Sequence, residues 1–311
     1  MGQTSEVLNV DVAGGTLGVH DLTVGRPEDG APVVLAAHGI TANGLMWQPV
    51  ADELGRRRGP GAVRFLAPDL RGRALSDAVH GPFGLAAHAS DLVCVATAVG
   101  ARPLLVGHSM GAFIAALTAA TAPHAFRGAV LVDGGLAFPA PADLDIDAAL
   151  VAVIGPAMER LRMRFASQDD YLAFWAKHPA LGPVLAGAQG EAVRRYVLHD
   201  LLRTDAGDWV SSCVLDAVRA DGADVLADAR THAAAREAVA EGLPVEFLWA
   251  RRGLLDEAQG LYDEARLAAL EVPPGVRVTA VDANHYTVVL EEPGVGAVVD
   301  AIERQLEEPV R

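Results

Sequence analysis

The sequence predicts an α/β protein with a mostly parallel central sheet flanked by helices. Three observations carry that prediction. Short aliphatic and β-branched runs alternate with helical patterns through the first part of the 311-residue chain. Those runs are apolar throughout, as strands covered on both faces are. The alternation lapses at about Ala137 and resumes at about Gly242, and helical periodicity fills the interval.

Taken in order, "SEVLNVDVAGG" and "TLGVHDLTVG" read as a hairpin turning at Gly14-Gly15. "PVVLAAH" is a buried strand, "LMWQPVADELGRR" a helix and "VRFLAPD" a strand; "LAAHASDLVCVATAVG", "PLLVGHS", "GAFIAALTAATAP" and "RGAVLVDGG" repeat the pattern as helix, strand, helix, strand. Helical stretches follow in "DLDIDAALVAVIGPAMERLRMRF", "DDYLAFWAKH", "GEAVRRYVLHDLL" and "ADGADVLADARTHAAAREAVAEG", broken by Pro and Gly. Strand and helix then alternate again through "LPVEFLWA", "EARLAALE", "GVRVTAVDA" and "AVVDAIERQLEE". The expected organisation is a core of residues 1–136 and 243–311, with a helical cap of residues 137–242 inserted after the sixth strand. An insertion of that length exceeds the ordinary connections of compact domains.

Composition narrows the function classes. With 51% hydrophobic and 21% charged residues the chain folds as a globular protein. A net charge of −15 repels phosphate backbones and anionic lipid, so neither nucleic acid nor membrane is an expected partner. The cluster Arg56-Arg57-Arg58 ends a helical pattern, where the helix dipole favours cations. Cys94 and Cys213 have neither a second pair nor a C-x-x-C spacing, which argues against a disulfide scaffold or a zinc site. "MGQTSEVLNVDV" has no basic leader region, Glu6 stands where a myristoylation signal wants Ser or Thr, and no apolar run approaches the ~18 residues of a membrane span. A cytoplasmic protein is expected.

The chemistry-bearing stretch is "PLLVGHSMGAFIAALTAA", from Pro103 to Ala120, in which Ser109 stands between Gly107 and Gly111 where a buried strand turns into a helix. So tight a turn strains the serine backbone, and the small neighbours relieve the crowding. The hydroxyl is thereby exposed at a helix N-terminus, where free N–H groups favour negative charge.

Here the sequence resembles the α/β-hydrolase family along nearly its whole length. "HGITANGLMW" from His38 resembles the family's oxyanion-loop segment, "APDLRGRALS" from Ala67 its D-x-R-G-x-x-x-S segment, and "GHSMG" its nucleophile elbow. The helical insertion looks like the family's cap domain, and "NHYTVVLEEP" from Asn284 resembles the segment carrying its histidine. The resemblance implies an α/β-hydrolase fold in which Ser109 is the nucleophile, with the backbone N–H groups of Ile40 and Met110 as the oxyanion hole. His285 is the expected base among ten histidines, because it follows the last strand and the order serine, acid, histidine requires a late one. His38 and His108 flank the motif and suit structural, hydrogen-bonded roles. His88, His178, His199 and His232 lie on helical patterns, facing solvent or the cap.

For the acid that orients the imidazole, Asp256 is the favoured candidate, since "WARRGLLDE" follows the strand "VEFLWA" and resembles the family's G-x-x-D. Asp133, ending "AVLVD", is the alternative. Asp69, Arg71 and Ser76 match a family segment that ties loops together. Trp47, Phe138, Phe165, Trp175 and Trp209 are candidates to line an apolar pocket between core and cap, and Arg194-Arg195 to offset the acidic surface near its entrance.

No H-E-x-x-H, Walker loop or G-x-G-x-x-G occurs, so no metal or nucleotide cofactor is implied. The expected function is hydrolysis of a carboxylic ester or lactone of a medium-sized, largely apolar small molecule through an acyl-enzyme. A C–C bond hydrolase of a β-diketone-like compound, a cofactor-independent perhydrolase and a catalytically silent ligand-binding protein remain the alternatives. The sequence leaves the oligomeric state open.

Overall fold

The computed structural model describes residues 6–138, 144–270 and 272–308. Residues 1–5, the stretch 139–143 of the expected insertion, Glu271 and residues 309–311 lie outside the described residues.

The chain begins with the antiparallel hairpin β1 (Glu6–Val12) and β2 (Gly15–Asp21), followed by β3 (Val33–Ala37), α1 (Gln48–Arg58), β4 (Arg64–Pro68) and α2 (Leu85–Ala98). β5 (Leu104–His108), α3 (Met110–Thr121) and β6 (Gly128–Val132) complete the first part of the sheet. The insertion comprises α4 (Ile146–Arg160), α5 (Gln168–Trp175), α6 (Gly182–Ala186), α7 (Gly190–His199), β7 (Leu201–Arg203), β8 (Trp209–Ser211), α8 (Leu215–Ala227) and α9 (Ala229–Ala240). The chain returns through β9 (Val245–Ala250), α10 (Glu264–Ala269), β10 (Arg277–Val281), α11 (Thr287–Leu290) and α12 (Gly294–Glu307).

The eight-stranded sheet runs β1-β2-β4-β3-β5-β6-β9-β10, parallel from β4 onward, with β2 antiparallel to its neighbours. Alternate residues of the buried strands feed two cores: in β6, Val130 and Val132 pack toward α1 and α12, while Ala129 and Leu131 pack toward α2, α3 and α9. This is why the strands read as unbroken apolar runs. Among the described residues, no helix is long and apolar enough to cross a membrane. Both cysteines are free.

Two features of the insertion differ from expectation. The short hairpin of β7 and β8 is absent from the helical reading, because three-residue strands are too short for alternation to register. α9 lies within the expected cap, but its Ala234, Ala235 and Ala238 are buried in the core layer beside α3. Small side chains on both helices permit that close approach, so α9 packs as part of the helix layer covering the sheet. α8 packs against α4 and also meets α2 and α3.

Candidate active site

The candidate site forms where β5, β6 and β10 end, and its first component is the turn at Ser109. There the backbone adopts φ 56° and ψ −123°, outside the regions L-residues favour, before α3 begins at Met110. The two motif glycines are required by contact. A Cβ on Gly107 would fall 2.1 Å from the Gly111 carbonyl oxygen, and one on Gly111 would fall 2.2 Å from that of Ala37. The turn is secured by the Ser109 N–H donating to the Val132 carbonyl at 2.9 Å. Met110, as the first residue of α3, carries an N–H with no intrahelical acceptor, and the Gly39–Ile40 segment approaches from β3.

His285 sits in the loop between β10 and α11 and is 4% exposed. Its Nδ1 lies 2.6 Å from Asp133 Oδ2, and Asp133 is fully buried. Asp133 follows β6 directly in a left-handed conformation (φ 47°), and its other oxygen accepts the Ala250 N–H at 3.0 Å. The acidic partner of His285 is therefore Asp133, and the expectation of Asp256 is corrected. Asp256 lies further out along the loop after β9, exposed, where it binds Arg252 at 2.8 Å and the Asn284 amide at 3.0 Å. It braces the residue beside His285 without touching the imidazole-bound carboxylate. Strand order explains the outcome: β6 is the neighbour of β5, so a carboxylate ending β6 needs no loop to reach the site.

The flanking histidines hold the frame. His108 is buried, its Nε2 donates to the His285 carbonyl at 2.7 Å, and burial pushes its pKa well below the usual range. His38 donates from Nδ1 to the Gly39 carbonyl at 2.8 Å and accepts the Leu70 N–H on Nε2 at 2.9 Å. Burial lowers its pKa to about 3, so it stays neutral.

Two buried arginines that sequence reading passed over grip the loop after β3. Arg73 donates twice to the Ile40 carbonyl, at 2.8 and 3.0 Å, and pairs with Asp221 of α8 at 2.6 Å. Asp221 also takes His88, which is fully buried. Arg160, at the end of α4, donates to the Thr41 carbonyl at 3.2 Å and pairs with Asp200. Successive carbonyls of the oxyanion-type loop are thus fixed by cations held by the insertion. Arg73 occupies a variable place of the D-x-R-G-x-x-x-S segment, so no motif flagged it. Within that segment Arg71 chelates Asp91 at 2.6 and 2.7 Å, and Ser76 Oγ accepts the Gly18 N–H at 3.0 Å.

Among the described residues one group has the spacing of metal ligands: His20, Asp69 and His199. Both imidazole Nε2 atoms meet Asp69 Oδ2, at 3.1 and 2.8 Å, and lie 3.2 Å from each other, and Asp69 also accepts the Gly44 and Leu75 amides, while His20 Nδ1 is buried without a partner among the described residues.

A cavity of about 490 Å³ lies between the insertion and the core. Ile154, Arg160, Phe174, Trp175, Leu254 and Tyr286 contribute to its wall. Ser109 and His285 do not line it; it adjoins His285 through Tyr286 and through Gly253, whose carbonyl accepts the His285 N–H at 3.4 Å. Of the aromatic candidates only Trp175 lines this space. Trp47 and Phe165 are buried in the core, Trp209 is half-buried in β8, and Phe138 is exposed near Tyr262. Arg194 and Arg195 lie on α7, away from the cavity wall.

Comparison with known proteins agrees with this architecture. The chain is 31% identical over 109 residues to the 2-(acetamidomethylene)succinate hydrolase of Mesorhizobium japonicum, covering 35% of this chain and 37% of that protein. It is 32% identical over 163 residues to the N-formylmaleamate deformylase of Pseudomonas putida, covering 48% and 58%. The matches thus span between about a third and three fifths of these relatives. Among solved structures, that of an E-2-(acetamidomethylene)succinate hydrolase superposes with a TM-score of 0.70 over 97% of this chain and 100% of the other, at 22% identity. A family model described as the α/β-hydrolase fold matches residues 32–291, so the chain belongs to the α/β-hydrolase family.

Proposed function

We propose that the protein is a serine hydrolase acting on a carboxylic ester or lactone of a medium-sized small molecule. Ser109 Oγ attacks the carbonyl carbon while His285 takes the hydroxyl proton; the weak neutral nucleophile needs that base. Asp133 holds the imidazole in the tautomer with its proton on Nδ1 and stabilises the imidazolium that forms. The N–H groups of Ile40 and Met110 receive the oxyanion, a contribution of about 10²–10³ in rate for one such donor. Collapse of the tetrahedral intermediate expels the alcohol, protonated by His285, and water then releases the acyl group by the same steps in reverse.

The observation that carries this reading is the fully buried Asp133–His285 contact of 2.6 Å, one strand away from a serine held in a strained turn. A carboxylate so placed serves an imidazole that must accept and return a proton. The inserted helices act as a cap, closing the cavity above the strand ends and favouring an apolar substrate.

A second reading is favoured by the relatives' names. They denote hydrolysis of an acetamido compound and removal of a formyl group from an N-formyl compound. The same serine, histidine and carboxylate serve a C–N acyl bond, with His285 protonating the leaving nitrogen. Measured kcat/KM for p-nitrophenyl butyrate, a medium-ring lactone and an N-formyl amide, in wild type and Ser109→Ala, separates the two. Preference for the ester or lactone supports the first reading, and a tenfold preference for the N-formyl amide moves the reaction to the second. Turnover that survives Ser109→Ala contradicts both.

A further inference from the structure

Outside the serine site, one cluster brings three metal-binding side chains into mutual contact. His20 lies on β2, Asp69 directly follows β4, and His199 is the last residue of α7 in the insertion. β2 and β4 are antiparallel neighbours with His20 opposite Ala67, which sets the first imidazole beside the carboxylate. α7 brings the second, and the Asn43 amide holds that helix in place by donating to the Tyr196 carbonyl at 2.9 Å. Asp69 is fully buried, His20 is 3% exposed and the His199 side chain 18%. None of the three lines the cavity of about 490 Å³.

Hydrogen bonding alone accounts poorly for this geometry. His20 Nε2, Asp69 Oδ2 and His199 Nε2 form a closed triangle with sides of 3.1, 2.8 and 3.2 Å. If both imidazoles donate to the carboxylate, two N–H groups abut; if one imidazole accepts from the other, its lone pair faces the carboxylate oxygen. The chain does not select between these states, because His20 Nδ1 has no partner among the described residues. Asp91, Asp200 and Asp221, also buried, each pair with an arginine, whereas Asp69 meets these two histidines. A cation between the three atoms removes the conflict, since all of them then turn a lone pair toward it. The ligand atoms of a tetrahedral zinc, bound at about 2.0–2.2 Å, lie roughly 3.3 Å apart, close to the sides of this triangle. The two rings are inclined at 72°, so they approach the common point from different directions.

We propose that His20, Asp69 and His199 form a zinc site that ties the insertion to the core. Two imidazoles and one carboxylate suit zinc, whereas magnesium and calcium favour oxygen ligands alone. Each imidazole coordinates through an unprotonated Nε2 with its proton on Nδ1, Asp69 binds as the carboxylate, and a fourth position faces water on the half-exposed His199 side. The ion links α7 to β2 and to the end of β4. Asp69 also accepts the Gly44 N–H at 2.8 Å and the Leu75 N–H at 3.1 Å, so fixing its carboxylate steadies the loops that carry them. A ligating histidine is ordinarily supported by an acceptor for its other N–H. His20 lacks one, so the expected affinity is micromolar rather than nanomolar. Nothing in this site depends on the reaction at Ser109.

The experiment is calorimetric titration of the metal-free whole protein with zinc chloride, paired with thermal unfolding, in wild type, His199→Gln and His124→Gln. Glutamine at 199 keeps an N–H donor for Asp69 and removes the imidazole, while His124, an exposed histidine outside the cluster, controls for adventitious binding. The expected result is one zinc per chain, bound at least tenfold more weakly by His199→Gln and equally well by His124→Gln. Zinc at a hundred times its Kd should raise the wild-type Tm by roughly 4 °C, and magnesium at the same concentration should leave it unchanged. No binding by wild type, undiminished binding by His199→Gln, as when His285 takes the ion, or an equal rise with magnesium overturns the site. X-ray absorption of zinc-loaded wild type needs no variant to fold: it should show two imidazole nitrogens with oxygen ligands at about 2.0–2.2 Å, and a shell with one imidazole or with sulfur overturns the assignment.

Discussion

Replacing Asp133 by Asn changes one atom and tests the whole proton relay. Asn is nearly isosteric, and its Oδ1 can still accept the Ala250 N–H that Asp133 holds at 3.0 Å. The Nδ2 amide, however, presents a donor to His285 Nδ1, where the carboxylate now sits at 2.6 Å. The imidazole must then carry its proton on Nε2, and a protonated Nε2 cannot take the serine proton. Loss of the charge-assisted bond accounts for about 1.5–3 kcal/mol. The wrong tautomer supplies most of the remainder of a fall in kcat of about 10⁴, or roughly 5 kcal/mol. Asp256→Asn should behave differently, because its exposed pairing with Arg252 is of the kind that contributes ~0.2–1 kcal/mol to stability. Steady-state kcat with p-nitrophenyl butyrate, together with thermal unfolding to show that both variants are folded, makes the comparison. A folded Asp133→Asn retaining more than a tenth of wild-type kcat, or a larger loss in Asp256→Asn, would refute the reasoning.

Three further outcomes follow from the same geometry. His38, held neutral down to about pH 3, and His108, shifted in the same direction, both regain an ordinary pKa near 6.5 on unfolding. The unfolded chain therefore binds up to two more protons below pH 6.5, and stability should fall with pH there by up to about 2.7 kcal/mol per unit while these groups add no slope above it. Urea midpoints from pH 7.5 to 5 measure this, and His38→Gln should remove about half of the slope; an unchanged slope counts against it. Arg73→Lys keeps the charge beside Asp221 but not the two donors on the Ile40 carbonyl, so kcat should drop by roughly 10–100-fold with KM little altered; a pure KM effect would place Arg73 outside the oxyanion loop's support. Gly111→Ala forces a methyl to 2.2 Å from the Ala37 carbonyl and should cost about 3 kcal/mol or more, read as a Tm lower by on the order of 5–10 °C or as loss of soluble protein.

Much of this arrangement was legible in the residues. Apolar runs such as "PVVLAAH" and "AVLVD", bounded by turn signals, read as strands covered on both faces, and the glycines around Ser109 mark the turn where a Cβ would clash. The acid was harder, because Asp133 and Asp256 both follow a strand, and choosing between them requires knowing that β6 lies beside β5. The sequence did carry a hint: Asp133 abuts its strand directly and is followed by two glycines, the same crowding that surrounds Ser109, whereas Asp256 stands six residues beyond Ala250. Arg73 and Arg160 were invisible, since their roles depend on carbonyls and aspartates distant in the chain. The packing of α9 beside α3 was not legible, because a helix rich in alanine carries no mark of which layer it joins.

The central claim is that Ser109 is an activated nucleophile. Intact-protein mass spectrometry after exposure to a fluorophosphonate tests it most directly, with Ser109→Ala as the control. The account predicts a single adduct in wild type, none in Ser109→Ala, and labelling slowed by orders of magnitude in Asp133→Asn. Absence of an adduct in folded wild-type protein, or an adduct that persists in Ser109→Ala, would contradict it.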